Sequence, residues 1–179
     1  PSLTDAQRSH ALLALDRTSE ARRSIQQARA SLASDGDTAA VQRWVPMLLL
    51  ATAGEQDAAG YARAFHSTFA ALDDVAAVQA DAALSAEPAP VRAQLEQAIA
   101  AQAGAATVTE AVALELLRLR AVLRAQTLAA ALAPALVAAE EQRRFVIDDA
   151  LRIPAGDGVV LSAQLARPRG PRGPLPAAM

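Results

Sequence analysis

The chain has 179 residues, of which 48 are alanine; 53% of its residues are hydrophobic and only 3% are aromatic. This length allows one full domain and the edge of a second, with cores built from alanine and leucine on helix faces. The formal net charge is −2 with both signs scattered, so we expect neither a nucleic-acid partner nor an anionic membrane surface. Cysteine is absent, which excludes disulfides and thiolate metal sites.

No targeting segment is visible in the sequence, so both a secreted or periplasmic and a cytoplasmic location stay open. The longest uncharged run, residues 125–139, has 15 residues and contains Pro134. A spanning helix needs about 20 apolar residues. We therefore expect no transmembrane segment and no membrane partner.

The first of five predicted helices opens at Thr4, which forms a capping-box pattern with Gln7. It is predicted to run to about Ser34, where Asp35-Gly36-Asp37 breaks the helical pattern. Its apolar seam is formed by Ala14, Ala21, Ile25, Ala28 and Leu32.

The second and third helices carry the larger apolar side chains. The second is predicted from about Thr38 to Ala53, with Pro46 either kinking it or marking a restart. The third is predicted from about Gln56 to Leu84. Its three aromatic residues are spaced four apart and share one face, so we expect them to pack inward: Tyr61, Phe65 and Phe69.

A Pro-rich joint at residues 87–90 introduces the fourth helix, which is predicted to run to about Ala103 and to be ended by Gly104. Thr107 with Glu110 repeats the capping-box pattern before the longest helix, from about Thr109 to Gln142. Two seams predict that this helix is central in a bundle and is bent by Pro134. The first seam comprises Leu114, Leu117, Ala121, Leu128, Leu132 and Leu136. The second comprises Leu116, Leu119 and Leu123. No 34-residue repeat supports a tetratricopeptide array.

The helical region offers little catalytic chemistry. His66, Ser67 and the pair Asp73-Asp74 are the residue types of a hydrolytic triad, but one helix turns Ser67 about 100° away from His66. His10 has no second ligand at helical spacing, so no metal site is predicted. The acidic pairs are expected to be solvated surface, because adjacent side chains on one element diverge: Asp73-Asp74, Glu140-Glu141 and Asp148-Asp149.

Residues 145–179 change in period and composition. Ala150 to Ile153 and Val159 to Ala166 predict two strands joined by a turn at Asp157 and Gly158, since glycine supplies positive φ there. Arg167 to Pro174 is predicted to be an exposed basic loop, and Leu175 to Met179 the start of a third strand. A hairpin and a strand stub cannot bury both faces alone, so the chain is expected to continue into a larger β-containing domain.

Residues 153–168, which read IPAGDGVVLSAQLARP, and residues 174–179, PLPAAM, resemble the opening strands of the α/β-hydrolase domain of the CocE/NonD acyl hydrolases, relatives of the X-prolyl dipeptidyl peptidases. The pattern departs from the family at Ala155-Gly156, where a Met-Arg or similar pair is usual. The resemblance implies a serine nucleophile on a G-x-S-x-G elbow with later Asp and His residues. No such elbow occurs in this sequence, so no catalytic residue is assigned.

The sequence thus predicts a mainly α fold, with a helical accessory domain at 1–143 and the first strands of an incomplete α/β-hydrolase domain at 144–179. One hypothesis makes the chain a non-catalytic fragment of a bacterial serine hydrolase, an acyl esterase or peptidase. The alternative makes the bundle a protein-protein interaction or scaffolding module. No cofactor is expected, and the partners expected are the rest of the hydrolase domain or a second copy bound through helices or strand edges.

Overall fold

The computed structural model describes residues 2–55, 57–154 and 159–169. Within these residues the chain forms eight helices followed by one antiparallel strand pair, which confirms the predicted mainly α fold with a small β element. Contacts divide the chain into two compact units, Pro1–Leu136 and Val137–Met179. The predicted domain boundary after residue 143 stays a prediction.

The elements follow one another with short connections. The helices are α1 (Asp5–Ala14), α2 (Thr18–Ser34), α3 (Thr38–Gln42), α4 (Val45–Ala53), α5 (Ala58–Ala70), α6 (Asp74–Leu84), α7 (Pro88–Ala100) and α8 (Glu110–Arg144). The strands are β1 (Phe145–Pro154) and β2 (Val160–Pro168).

The prediction of one helix from Thr4 to Ser34 is wrong, because the helix breaks after Ala14. Asp16 adopts a positive φ of 59°, a left-handed conformation that an α-helix cannot contain. The predicted capping box is confirmed: Thr4 Oγ1 accepts from the Gln7 amide at 3.2 Å, and Gln7 Oε1 accepts from the Thr4 amide at 2.9 Å.

The second and third predicted helices are each two helices as well. Pro46 lies in the first turn of α4, where backbone N–H groups have no hydrogen-bond partner within the helix, so its missing N–H costs nothing. The prediction that Pro46 marks the restart of a helix is confirmed. The third breaks before Asp73, whose carboxylate accepts from the Ala76 amide at 2.8 Å and begins α6. The side-chain cap begins a new helix at a position where apolar periodicity alone predicts a continuous one.

The fourth and fifth predicted helices are present with shifted ends. α7 ends at Ala100, before the predicted Ala103, and Gly104 adopts a φ of 85° in the connection. α8 begins at Glu110, where Thr109 Oγ1 accepts from the Val112 amide at 3.4 Å, so the cap predicted at Thr107 is wrong.

The aromatic stripe of α5 lies in the protein core, as predicted. Tyr61 and Phe65 are fully buried and Phe69 nearly so. The rings of Phe65 and Phe69 are stacked with centroids 4.1 Å apart. Burial raises the pKa of Tyr61 to about 12, because the phenolate would lose its hydration.

Alanine, rather than leucine, forms the buried side of α8, so the predicted leucine seams are largely wrong. Ala121, Ala125, Ala129 and Ala133 recur every four residues and are buried with Leu119, whereas the other predicted seam leucines are only half-buried. Ala121 and Ala125 join a core cluster with Leu13, Ile25 and Leu50 from other helices. Leu128 packs against the same cluster and is only half-buried.

By length and composition α8 is apolar enough to cross a membrane, with a mean hydropathy of 1.5 over an 18-residue window. Of the residues in that window, 22% are buried. The expectation of no membrane partner stays a prediction.

Arg124 holds α8 against two distant loops. Its guanidinium donates to the Leu13 carbonyl and to the carboxylates of Asp16 and Glu55, the latter two at 2.5 Å. The Arg124 side chain is largely buried while both carboxylates are exposed. The left-handed residue Asp16 is therefore fixed by a residue of α8.

We expect Arg124→Met to lower the free energy of unfolding by about 1–3 kcal/mol, because methionine keeps the apolar stem and removes every donor. Urea unfolding followed by circular dichroism measures the change. Arg120→Met on the same helix is the control, since Arg120 is exposed. Equal effects of the two substitutions would contradict the role given to Arg124.

The strand pair is antiparallel, with Phe145 opposite Pro168 and Pro154 opposite Val160. The register shifts between Asp148 and Leu151, which indicates a β-bulge. The first strand begins at Phe145, earlier than the predicted Ala150. The turn predicted at Asp157 and Gly158 and the strand predicted from Leu175 to Met179 lie outside the described residues.

Candidate functional site

The residues that resemble a hydrolytic triad are not assembled into one. His66 and Ser67 are exposed on α5, and the His66 ring packs edge-on against Phe65 at 5.7 Å. The Asp73 carboxylate caps α6, and neither Ser67 nor Asp73 hydrogen-bonds His66. Nothing in this arrangement activates Ser67 as a nucleophile.

Glu140 contradicts the prediction that the acidic pairs are solvated. Its carboxylate is buried and accepts from Arg143 Nη2 at 2.5 Å and from Arg144 Nε at 2.7 Å. Hydrogen bonding by Arg143, assisted by Arg144, lowers the pKa of Glu140 to about 2 against the opposing effect of burial. Glu141 and Asp148 are exposed, as predicted. This cluster is a structural ion pair at the end of α8.

His10 lies in a groove that the sequence did not predict. Its imidazole stacks on the indole of Trp44, with centroids 5.2 Å apart and planes 19° from parallel. Burial, and then the nearby charge of Arg118, lower the pKa of His10 to about 4. The imidazole is therefore neutral at pH 7.

A cavity of about 820 Å³ adjoins this ring pair, and its polar walls include Asp5, Ser31, Arg43 and Arg118. Arg118 is already bound by Glu115 through two hydrogen bonds of 2.8 and 2.7 Å. Ser31 makes no hydrogen bond to His10. With its pKa lowered to about 4 and no hydrogen bond from Ser31 to orient it, this imidazole would be a weak general base, and its stacked ring provides a binding surface instead.

The groove could not be predicted from the sequence because His10 lies on α1 and Trp44 in the distant α3–α4 connection. The prediction considered His10 only as a metal ligand. Within the residues that the structure describes, no group of three histidine, aspartate or glutamate side chains could hold a metal ion.

The strand pair carries the feature most relevant to the hydrolase hypothesis. Leu161, Ala163 and Leu165 alternate onto one face of β2. On β1, Ile153 lies opposite Leu161, Leu151 opposite Ala163 and Asp148 opposite Leu165. On this face Ile153 is 46%, Leu161 53% and Leu165 45% exposed. In the described residues no third strand pairs with β1 or β2. The hairpin thus combines an open apolar face with unpaired edges.

Arg169, which follows β2, forms hydrogen bonds with the end of α8. The Arg169 amide donates to the Arg144 carbonyl at 2.8 Å, and Arg169 Nε donates to the Gln142 carbonyl at 2.7 Å. Arg169 Nε also contacts the Phe145 carbonyl at 3.1 Å. These bonds hold β2 beside β1 at the helix end.

No protein-family model matches the chain, and neither curated proteins nor solved structures provide a match. The resemblance to the CocE/NonD opening strands therefore rests on residues 153–168 and 174–179 alone.

Proposed function

We propose that this chain is the N-terminal part of a serine hydrolase acting on esters or peptides, with the hairpin as the first strands of the catalytic sheet. The helices would form an accessory domain beside the catalytic one. The observation that carries the proposal is the apolar face of Ile153, Leu161 and Leu165, exposed within the same residues that resemble the hydrolase pattern.

A two-stranded sheet is only marginally stable in water, and an apolar face is stabilised by further strands or a covering helix. In an α/β-hydrolase both are supplied by the rest of the sheet and its crossover helices. Unpaired edges and an exposed apolar face are what the first hairpin of such a sheet would show by itself.

The proposal locates the nucleophile, acid and base beyond Met179, so the 179-residue chain itself is expected to be inactive. A fluorophosphonate probe, which labels activated serines, tests this on both the chain and the protein translated from the continuing reading frame. The longer protein is expected to be labelled and the chain is not.

Labelling of the 179-residue chain that disappears in a His66→Ala variant would place the activity in the helices and overturn the proposal. Absence of labelling in the longer protein would also contradict it. His66→Ala in the longer protein is the matched control and is expected to leave labelling unchanged, because His66 lies on an exposed surface of α5.

A second candidate is a helical interaction module, and α7 is the observation that favours it. α7 buries none of its residues, and its Ile99 is 55% exposed. An exposed apolar side chain on a helix that buries none of its residues is a possible contact for a partner helix. Under this hypothesis Ile99→Glu would abolish partner binding, whereas under the hydrolase hypothesis it would leave serine labelling of the longer protein unchanged.

A further inference from the structure

A second cavity, of about 540 Å³, lies between the α3–α4 connection, α6 and α8, within the unit Pro1–Leu136. Its walls are mainly apolar and are formed in part by Met47, Ala83, Ala86, Val122 and Ala125. This volume falls in the range of about 300–1,000 Å³ that is usual for small-molecule sites. The alanine side chains leave the space open, because they stop at Cβ.

Three polar side chains line the cavity: Arg43, Gln79 and Gln126. The Oε1 atoms of both glutamines are buried and have no hydrogen-bond partner in the protein. Both amides are therefore polar groups in an otherwise apolar wall, and Arg43 is the side chain that brings N–H donors to the cavity.

Arg43 supplies the positive charge at this cavity. Its side chain is 72% exposed, and its ion pair with Asp37 spans 3.8 Å, longer than a hydrogen bond. The guanidinium therefore keeps donors for a ligand. Among the described residues no carboxylate lines this cavity.

We propose that this cavity binds a monocarboxylate with an apolar body. The apolar part would lie against Met47 and the alanines, and the carboxylate would accept hydrogen bonds from the Arg43 guanidinium. A carboxylate fits because it is acceptor-only and favours the planar donor fork of arginine. An amine of the same length fits poorly, since it would place a cation beside Arg43.

Octanoate is the probe, and isothermal titration calorimetry on the 179-residue chain measures its binding. We expect saturable binding at one site. Octylammonium, which has the same number of carbon atoms and the opposite charge, is expected to bind at least about tenfold more weakly. No saturable binding of octanoate, or equal binding of the two ions, would overturn the proposal.

Two variants locate the binding. Arg43→Met is expected to weaken octanoate about tenfold. Arg63→Met is the matched control, because the Arg63 side chain is 73% exposed and pairs with Asp57 at 3.4 Å. Ala86→Trp is expected to fill the cavity and abolish binding, whereas Ala130→Trp on the exposed side of α8 is not. Unchanged octanoate affinity in either Arg43→Met or Ala86→Trp would contradict the assignment.

Discussion

Phe65→Ala is expected to lower the free energy of unfolding by about 3–5 kcal/mol, the largest effect of any substitution considered for this chain. The Phe65 side chain is fully buried, and its ring stacks on Phe69 at a centroid distance of 4.1 Å. Truncation removes the transfer free energy of the ring and leaves a cavity between helices that cannot fully collapse.

Urea unfolding followed by far-UV circular dichroism measures this loss. Ser67→Ala is the matched control, because Ser67 lies on the exposed side of the same helix and its substitution should change stability by no more than about 0.5 kcal/mol. A loss below about 1 kcal/mol for Phe65→Ala would show that the aromatic stripe does not form the core of this region.

The stability of the helical unit is expected to fall as the pH drops from 6.5 towards 4. The pKa of His10 is lowered from 6.5 to about 4, mainly by burial, so the unfolded chain binds the proton more tightly than the folded chain does. The stability that neutral His10 contributes is therefore fully present above about pH 6.5 and is lost as the pH falls from 6.5 towards 4. The loss approaches about 3 kcal/mol at pH 4.

His10→Phe isolates this contribution, because phenylalanine can stack on Trp44 and does not titrate. The difference in unfolding free energy between the wild type and His10→Phe should change between pH 7 and pH 4.5 with the sign given above. Arg118 and Glu115, the charged groups that act on His10, are present in both proteins. Parallel pH profiles for the two proteins would contradict the assignment.

Local signals predicted the features that depend on neighbouring residues. The capping box of Thr4, the inward face of Tyr61, Phe65 and Phe69, and the antiparallel pairing of β1 with β2 follow from short-range patterns. Asp73 is also a local signal for the start of a helix. Aspartate is a favoured N-cap residue, because its carboxylate accepts a hydrogen bond from an amide of the first turn. The apolar periodicity of this region predicts one continuous helix instead.

The features that sequence reasoning missed depend on contacts between distant residues. The break at Asp16 is fixed by Arg124, which is 108 positions away. The stacking of His10 on Trp44 joins α1 to the α3–α4 connection, and the burial of Ala125 depends on the residues of α1, α2 and α4 in its core cluster. None of these contacts produces a sequence pattern within the length of a single helix.

The reading frame beyond the codon for Met179 tests the hydrolase proposal most directly. The proposal predicts that translation continues into further strands, with a G-x-S-x-G elbow followed by Asp and His residues. An immediate stop codon, or a continuing frame without such an elbow, would contradict it and leave the helical interaction module as the function to test.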